Sequence, residues 1–299
     1  ARMKGIHPQM TPRLPDWLKV NVGKQAAAQS TRELVDGRRL CTVCQSARCP
    51  NIGECFSRGT ATFMLMGDVC TRDCRFCAVR HSTTGPAPLD PDEPRRVAEA
   101  AAYMGLDFVV VTSVTRDDLP DGGAGHFATT IRAIRELRPE AGIEVLTPDF
   151  KGDTRSVDTV IAARPTVFNH NVETVREMSG VLRPQADHSR SLQVLSYANG
   201  NWPGVVVKSG FMVGVGETDE QVRELLGQLA AAGCHIVTIG QYLQPTRRHH
   251  PVDRYVHPDQ FAAYARWAEE AGIIEVNAGP FVRSSYLAEK LFGQLRKQP

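Results

Sequence analysis

From Ala61 onward, short β-branched and aromatic runs alternate with amphipathic helical stretches, and this rhythm restricts the fold more than any other feature of the chain. Successive parallel strands need a crossover of a dozen or more residues, usually a helix, so repeated βα units imply a parallel sheet covered by helices. Strands are expected near 61–67, 108–113, 143–147, 167–171, 205–213 and 236–242, with helices between them. The helices are best marked at Glu93–Met104, with Asp92 as N-cap, at Phe127–Leu137, and at Glu220–Ala232, which ends before Gly233. Six units between 61 and 243 take roughly thirty residues each, whereas a closed eight-unit barrel takes about 250 in all. The expected fold is therefore α/β: an open, partial (β/α)6 TIM-type barrel with N- and C-terminal extensions.

The extensions set the domain boundaries at 3–60, 61–245 and 246–299. The first is polar, with Pro8, Pro12 and Pro15, a helix-like stretch over Gln25–Leu40 and a group of cysteines. The last holds a helix over Asp259–Ala271, a short strand at 275–279, and helical spacing of Leu287, Leu291 and Leu295 within Ser285–Lys297. Ala1-Arg2 reads as an expression scar before a native start at Met3, with no secretory signal. Hydrophobic residues make up 42 % and charged residues 23 %, which excludes disordered and coiled-coil classes. Thirty-five Lys+Arg against 33 Asp+Glu leaves +2, too balanced for a protein that neutralises a polyphosphate groove. No apolar run approaches the ~18 residues of a membrane span. Neither nucleic acid nor membrane is an expected partner.

Seven of the eight cysteines lie between Cys41 and Cys77, and the eighth is Cys234, expected to be a buried small hydrophobe. In a long chain without a signal peptide, such grouping suggests reduced thiols serving metal rather than disulfides. Cys70, Cys74 and Cys77 form C-x3-C-x2-C just past the first strand. Three thiolates can hold three corners of a [4Fe–4S] cubane and leave its fourth iron open, as a catalytic metal requires, whereas a structural zinc wants four closed ligands. Cys44, Cys49 and Cys55 form C-x4-C-x5-C. Local sequence leaves two readings open there: a second cluster, or a four-thiolate zinc site completed by Cys41 at C-x2-C spacing from Cys44.

C-x3-C-x2-C with Phe76 before its last cysteine, at the end of the first strand of a partial barrel, resembles the radical S-adenosylmethionine enzymes. The resemblance implies that S-adenosylmethionine chelates the open iron and that an electron from the cluster cleaves it to a 5′-deoxyadenosyl radical. With C-x4-C-x5-C upstream and Arg283-Ser284-Ser285-Tyr286 near the C-terminus, the chain is similar over nearly its whole length to the lipoyl synthase family. Thr115–Gly123, His170–Thr174 and Gln241–Pro245 match as well. By this likeness Cys44, Cys49 and Cys55 bind an auxiliary [4Fe–4S] cluster, Ser285 ligates its fourth iron, and Cys41 is spare. Local sequence alone reads Ser284-Ser285 as a helix N-cap. A hard oxygen among soft thiolates would be the labile corner.

The implied reaction inserts two sulfurs, at C6 and C8, into a protein-bound N6-octanoyl-lysine, using two S-adenosylmethionine molecules and sulfide from the auxiliary cluster. The implied partners are octanoylated lipoyl-carrier domains (2-oxoacid dehydrogenase E2 subunits and glycine cleavage H protein), a low-potential electron donor (ferredoxin or flavodoxin) and an iron–sulfur carrier protein. Oxygen-sensitive clusters call for a reducing compartment, the cytoplasm, or an organelle if a transit peptide has been removed. Phe76, Thr112, Ser113, Asn171, Glu173, Arg183 and Lys208 are the candidate cofactor contacts, with Asn171 and Glu173 suited to ribose hydroxyls and Arg183 to the methionyl carboxylate. Gly214-Val215-Gly216-Glu217-Thr218 could present backbone amides to the nucleotide. Asp117-Asp118 read as loop caps, and His249-His250 as solvent-exposed or facing an acidic carrier domain. Two rivals stand beside this reading: a biotin-type sulfur-inserting enzyme with its second cluster inside the barrel, and a non-catalytic zinc- or cluster-binding scaffold.

Overall fold

Runs of apolar, β-branched residues that bury both faces of the chain become the parallel strands, because helices cover both sides of such a sheet. The computed structural model describes residues 13–19, 25–82 and 84–295. The N-terminal extension comprises α1 (Gln25–Gly37), β1 (Cys41–Thr42), α2 (Val43–Ser46) and α3 (Ile52–Ser57). The sheet proper opens at β2 (Thr62–Leu65), after which the two-residue strands β3 (Val69–Cys70) and β4 (Arg80–His81) pair with each other apart from it. Alternation then follows: α4 (Glu93–Tyr103), β5 (Phe108–Ser113), α5 (Ala124–Leu137), β6 (Gly142–Leu146), α6 (Thr154–Ile161) and β7 (Val167–Asn169). It continues with α7 (Arg176–Leu182), α8 (His188–Asn201), β8 (Val206–Val213), α9 (Asp219–Ala231), β9 (Ile236–Gln241), α10 (Pro258–Glu270), β10 (Glu275–Gly279) and α11 (Ala288–Leu295).

The strand order is β1-β2-β5-β6-β7-β8-β9-β10, parallel throughout except where β1 runs antiparallel to β2. Among the described residues nothing pairs β1 with β10, so the sheet stays open. All six expected strands are present, and the segment at 275–279 adds a parallel strand to β9. Every residue of β9 is buried, and α5 turns Phe127, Ile131 and Ile134 inward at helical spacing. Truncating Ile131 would cost about 2–5 kcal/mol through lost transfer energy and a residual cavity. A Thr218/Gln221 capping box starts α9 and satisfies two of its orphan amides.

Two expectations change. Asp92 occupies the N-cap position of α4 without a side-chain cap bond; the aspartate at work is Asp90, whose Oδ1 accepts the Asp92 amide at 3.0 Å. The C-terminal helix begins at Ala288 rather than Ser285, because Leu287 has a φ of 55° and breaks the run. Pro8, Pro12, the side chains of Leu291 and Leu295, and residues 296–299 lie outside the described residues.

Gly240 near the end of β9 decides where the C-terminal extension can go. A Cβ there would collide with the Val282 carbonyl oxygen, so only glycine lets the segment at 282–286 lie across the strand end.

Candidate active site

The loop after β2 carries Cys70, Cys74 and Cys77 and is tied down by buried charge. Arg72, its side chain 4 % exposed, forks onto Asp117 at 2.7 and 2.9 Å and reaches Asp149 at 2.6 Å. Charge-assisted, two-pronged bonds of this kind fix orientation as well as position. The Thr71 amide and hydroxyl both donate to Thr115 O, and the Thr71 hydroxyl accepts the Asp117 amide. On the other side the His249 ring bonds the Cys77 carbonyl through Nε2 at 3.0 Å, and the His250 amide donates to Arg75 O. These contacts correct two expectations. Asp117 anchors the cysteine loop and Asp118 pairs with Arg116, so neither is a simple loop cap. His249 and His250 are half-buried braces, the second bonding Val215 O at 3.0 Å.

The thiols sit where metal would compete with protons. The amides of Arg72 and Thr115 aim at Cys70 Sγ from 3.4 and 3.3 Å. Burial, helped by neighbouring thiols in the loop, pushes Cys74 up to about 11, against the pull of Arg183, and Cys77 up to about 12. In the upstream group, burial pushes Cys44 up to about 11 and Cys55 up to about 12, and the charges of Cys44 and Cys49 add to the rise at Cys55. Thiols that repel one another in this way fit a cationic iron core, which deprotonates them and relieves the repulsion. Among the described residues no three His, Cys, Asp or Glu side chains converge as around a single ion. A cubane offers each ligand its own iron. Cys41 lies opposite Met64 on β1, with Asp68, Glu93 and Arg80 as its charged neighbours, not the Cys44 trio. Cys234 is buried, as expected.

The upstream trio is closed by the far end of the chain. Asn51 Nδ2 donates to Phe281 O at 2.7 Å, and the Tyr286 hydroxyl donates to Glu54. Thr62, which hydrogen-bonds Cys44, donates from Oγ1 to Ser285 Oγ at 2.9 Å. Cys44, Cys49, Cys55, Cys77, Phe76 and Ser285 then share one cavity of about 530 Å³.

Asn171 and Glu173 line the same cavity. Burial raises the Glu173 carboxyl, while Arg183 and a hydrogen bond from Asn171 oppose the rise. Arg183 is buried, with one nitrogen on Val172 O at 2.8 Å. Two candidate contacts, Lys208 and Thr112, are engaged elsewhere. Lys208 is sealed inside the barrel, both Glu144 oxygens lying 2.9 Å from its Nζ. The Thr112 hydroxyl is engaged by Leu146 O at 2.9 Å, and the Ser113 hydroxyl is buried without a partner among the described residues. The amides of Gly214 and Val215 are taken by the carboxylate of Glu217, at 2.7 and 2.9 Å, so they do not face a nucleotide. Sequence reasoning missed Arg72, Asp149, Glu144, Asn169 and Thr62. Each acts through a partner distant in the chain, and none stands in a spacing that signals chemistry.

An open parallel barrel with a three-cysteine loop after its first strand defines a class, the radical S-adenosylmethionine superfamily, whose family model matches residues 64–229. The fold is shared with a methylornithine synthase crystal structure at a TM-score of 0.53 and 14 % identity, covering 88 % of this chain and 85 % of that one. Lipoyl synthase from Anaeromyxobacter sp. (strain Fw109-5) is 53 % identical over 97 % of this chain and 99 % of its own length. Lipoyl synthase from Chlorobium limicola (strain DSM 245 / NBRC 103803 / 6330) is 54 % identical over 92 % of this chain and 94 % of its own. The chain belongs to the lipoyl synthase family. It is an enzyme, and its superfamily works with a [4Fe–4S] cluster and S-adenosylmethionine. No helix among the described residues is long and apolar enough to cross a membrane.

Proposed function

We propose that the chain inserts two sulfur atoms, at C6 and C8, into an octanoyl group carried on a lysine of a lipoyl-carrier domain. Cys70, Cys74 and Cys77 hold the cluster of the barrel mouth; Cys44, Cys49, Cys55 and Ser285 hold an auxiliary cluster. When bound, S-adenosylmethionine supplies a 5′-deoxyadenosyl radical able to take hydrogen from an unactivated C–H bond, and the auxiliary cluster supplies sulfide. Side-chain acids and bases cannot perform that abstraction at neutral pH. The protein's own part is positioning. Glu173 and Asn171 face the cofactor's ribose, Arg183 its carboxylate, and Phe76, packed with Leu182, Val215, Tyr242 and Val252, walls the loop on its apolar side. Leu146, Phe211 and Met212, which line the same cavity as Cys77 and the upstream cysteines, offer the alkyl chain an apolar wall.

What carries this reading is the single cavity on which Cys44, Cys49, Cys55, Cys77 and Ser285 all open. It also favours the family assignment over the biotin-type rival, because its second cysteine group stands on the N-terminal extension. On this reading residues 3–60 and 246–299 are the two jaws of the auxiliary site and 61–245 the catalytic barrel. A ferredoxin or flavodoxin supplies electrons, an iron–sulfur carrier restores the spent cluster, and the chain works in the cytoplasm. After anaerobic reconstitution the enzyme is expected to hold about 8 iron atoms per chain, two cubanes' worth. Protein-bound sulfide should fall as product forms. Four iron atoms, or product made without loss of sulfide, would overturn the proposal.

A further inference from the structure

Behind the cavity a file of buried polar groups runs from the barrel interior to the C-terminal extension, and the carboxylate of Glu144, which accepts from both sides, sets the direction of each hydrogen bond beyond it. Lys208 and Glu144 have side chains 1 % exposed, and Lys208 Nζ donates to both carboxylate oxygens at 2.9 Å. A carboxylate only accepts, so the neighbouring Asn169 must turn its NH2 toward it, and Nδ2 lies 2.7 Å from Glu144 Oε1. The same nitrogen has a second proton, which goes to Ser284 Oγ at 2.9 Å. Ser284 has then only its own proton to give, and Oγ donates to Asn171 Oδ1 at 2.9 Å. With its oxygen thus taken, Asn171 is left with its NH2 for Glu173. Reversing either amide would set an oxygen against a carboxylate.

The position of Asn171 in the file depends on a glycine. A Cβ at residue 210 would collide with Thr238 Oγ1 and come within 3.0 Å of Asn171 Oδ1, so Gly210 leaves the space in which that oxygen sits. Ser284 is also the residue before Ser285, on the segment that Gly240 admits to the end of β9. One hydroxyl therefore touches both halves of the site: the strand end that faces the cofactor and the turn that closes the upstream cysteines.

We propose that Ser284 is a positioning residue, the joint through which the buried Lys208–Glu144 pair fixes the amide of Asn171 toward the cofactor and steadies the turn bearing Ser285. The inference rests on Asn171 being a cofactor contact, as proposed above.

The test uses the full-length, anaerobically reconstituted enzyme with Ser284→Ala, Ser284→Thr, Asn171→Ala and the Ser284→Ala/Asn171→Ala double variant. It reads equilibrium binding of S-adenosylmethionine and the Mössbauer spectrum of the bound iron. Ser284→Ala is expected to weaken cofactor binding about five- to tenfold, the worth of one buried hydrogen bond and its unpaired acceptor. It should also perturb the spectrum of the auxiliary iron, while Ser284→Thr, which keeps the hydroxyl, restores both. Because Ser284 acts through Asn171, the double variant should bind no more weakly than Asn171→Ala alone. Parental affinity in Ser284→Ala, failure of threonine to rescue, or additive losses in the double variant would each overturn the proposal. Parental affinity in Asn171→Ala would instead overturn the underlying assignment of Asn171.

Discussion

The two cysteine trios are similar in spacing and opposite in construction. Cys70, Cys74 and Cys77 belong to one loop of the barrel, clamped from behind by Arg72, Asp117 and Asp149 and from the side by His249. Cys44, Cys49 and Cys55 sit on two short helices and the turn between them, outside the barrel, and their enclosure needs Ser285 from the opposite end of the chain. The first site is braced by two ion pairs on the buried Arg72 guanidinium; the second is joined by single bonds such as Asn51 to Phe281 and Tyr286 to Glu54. On the proposed reading the braced loop would hold the cluster that must work repeatedly, and the singly bonded outer site would hold one that must be opened and refilled.

The sharpest way to break this contrast is to remove one cysteine from each trio. Cys74→Ala should abolish both cofactor cleavage and lipoyl formation, whereas Cys55→Ala should abolish lipoyl formation and leave cleavage running, as followed by 5′-deoxyadenosine release. Equal loss of cleavage in both variants would erase the division of labour. Ser285→Ala is expected to lower lipoyl formation about 10²-fold, the size of effect that misplacing a reacting group by an ångström brings, with cleavage unchanged. Unchanged sulfur insertion would remove Ser285 from the site.

Rigidity of the first seat has its own pH signature. Arg72 and burial act in opposite senses on Asp149, and the pair wins, holding the carboxyl down at about 2 against an ordinary 3.8. A depressed carboxylate stabilises the fold above its unfolded pKa and ceases to do so as pH falls through its folded one. That difference is about 2 kcal/mol, fully present above about pH 4 and lost between pH 4 and 2. Asp149→Asn should abolish this component of the acid unfolding curve and lower stability at neutral pH; a parental curve would show that the clamp is not under load. The smallest effect is expected at Cys41. Cys41→Ser should leave iron content and lipoyl formation within about twofold of the parent, because it keeps the size of a half-buried side chain that is outside the proposed ligand set. A loss of bound metal would revive the four-thiolate zinc reading.

The sequence made the strands legible because both-face burial writes itself as uninterrupted runs such as Phe108–Ser113 and Ile236–Gln241. Cysteine spacing is equally local, so the barrel-loop trio could be read directly, whereas spacing left the upstream trio open to a zinc reading that only the family likeness set aside. Ser285 could not be read from spacing: its neighbourhood with Thr62 spans more than two hundred positions, and only the family likeness picked it out. Lys208 shows the reverse error. A lysine near a strand end reads as a cofactor contact, but its register on β8 turns it into the barrel toward Glu144, and no spacing announces that partner. The loop at 214–218 failed for a similar reason, since Glu217 supplies the anion its amides would otherwise await.

Enclosure of the upstream cysteines by residues 281–286 also sets a timetable. A chain emerging from the ribosome presents Cys44, Cys49 and Cys55 first and the barrel loop next, but residues 281–286, which shut the outer chamber, follow only after β10. On the proposed reading, molecules clipped before residue 281 would keep Cys70, Cys74 and Cys77 but lose both Ser285 and the Ser284 hydroxyl that holds Asn171. Such molecules would bind the cofactor more weakly and form no lipoyl group, which makes the integrity of residues 281–286 a checkpoint on productive turnover.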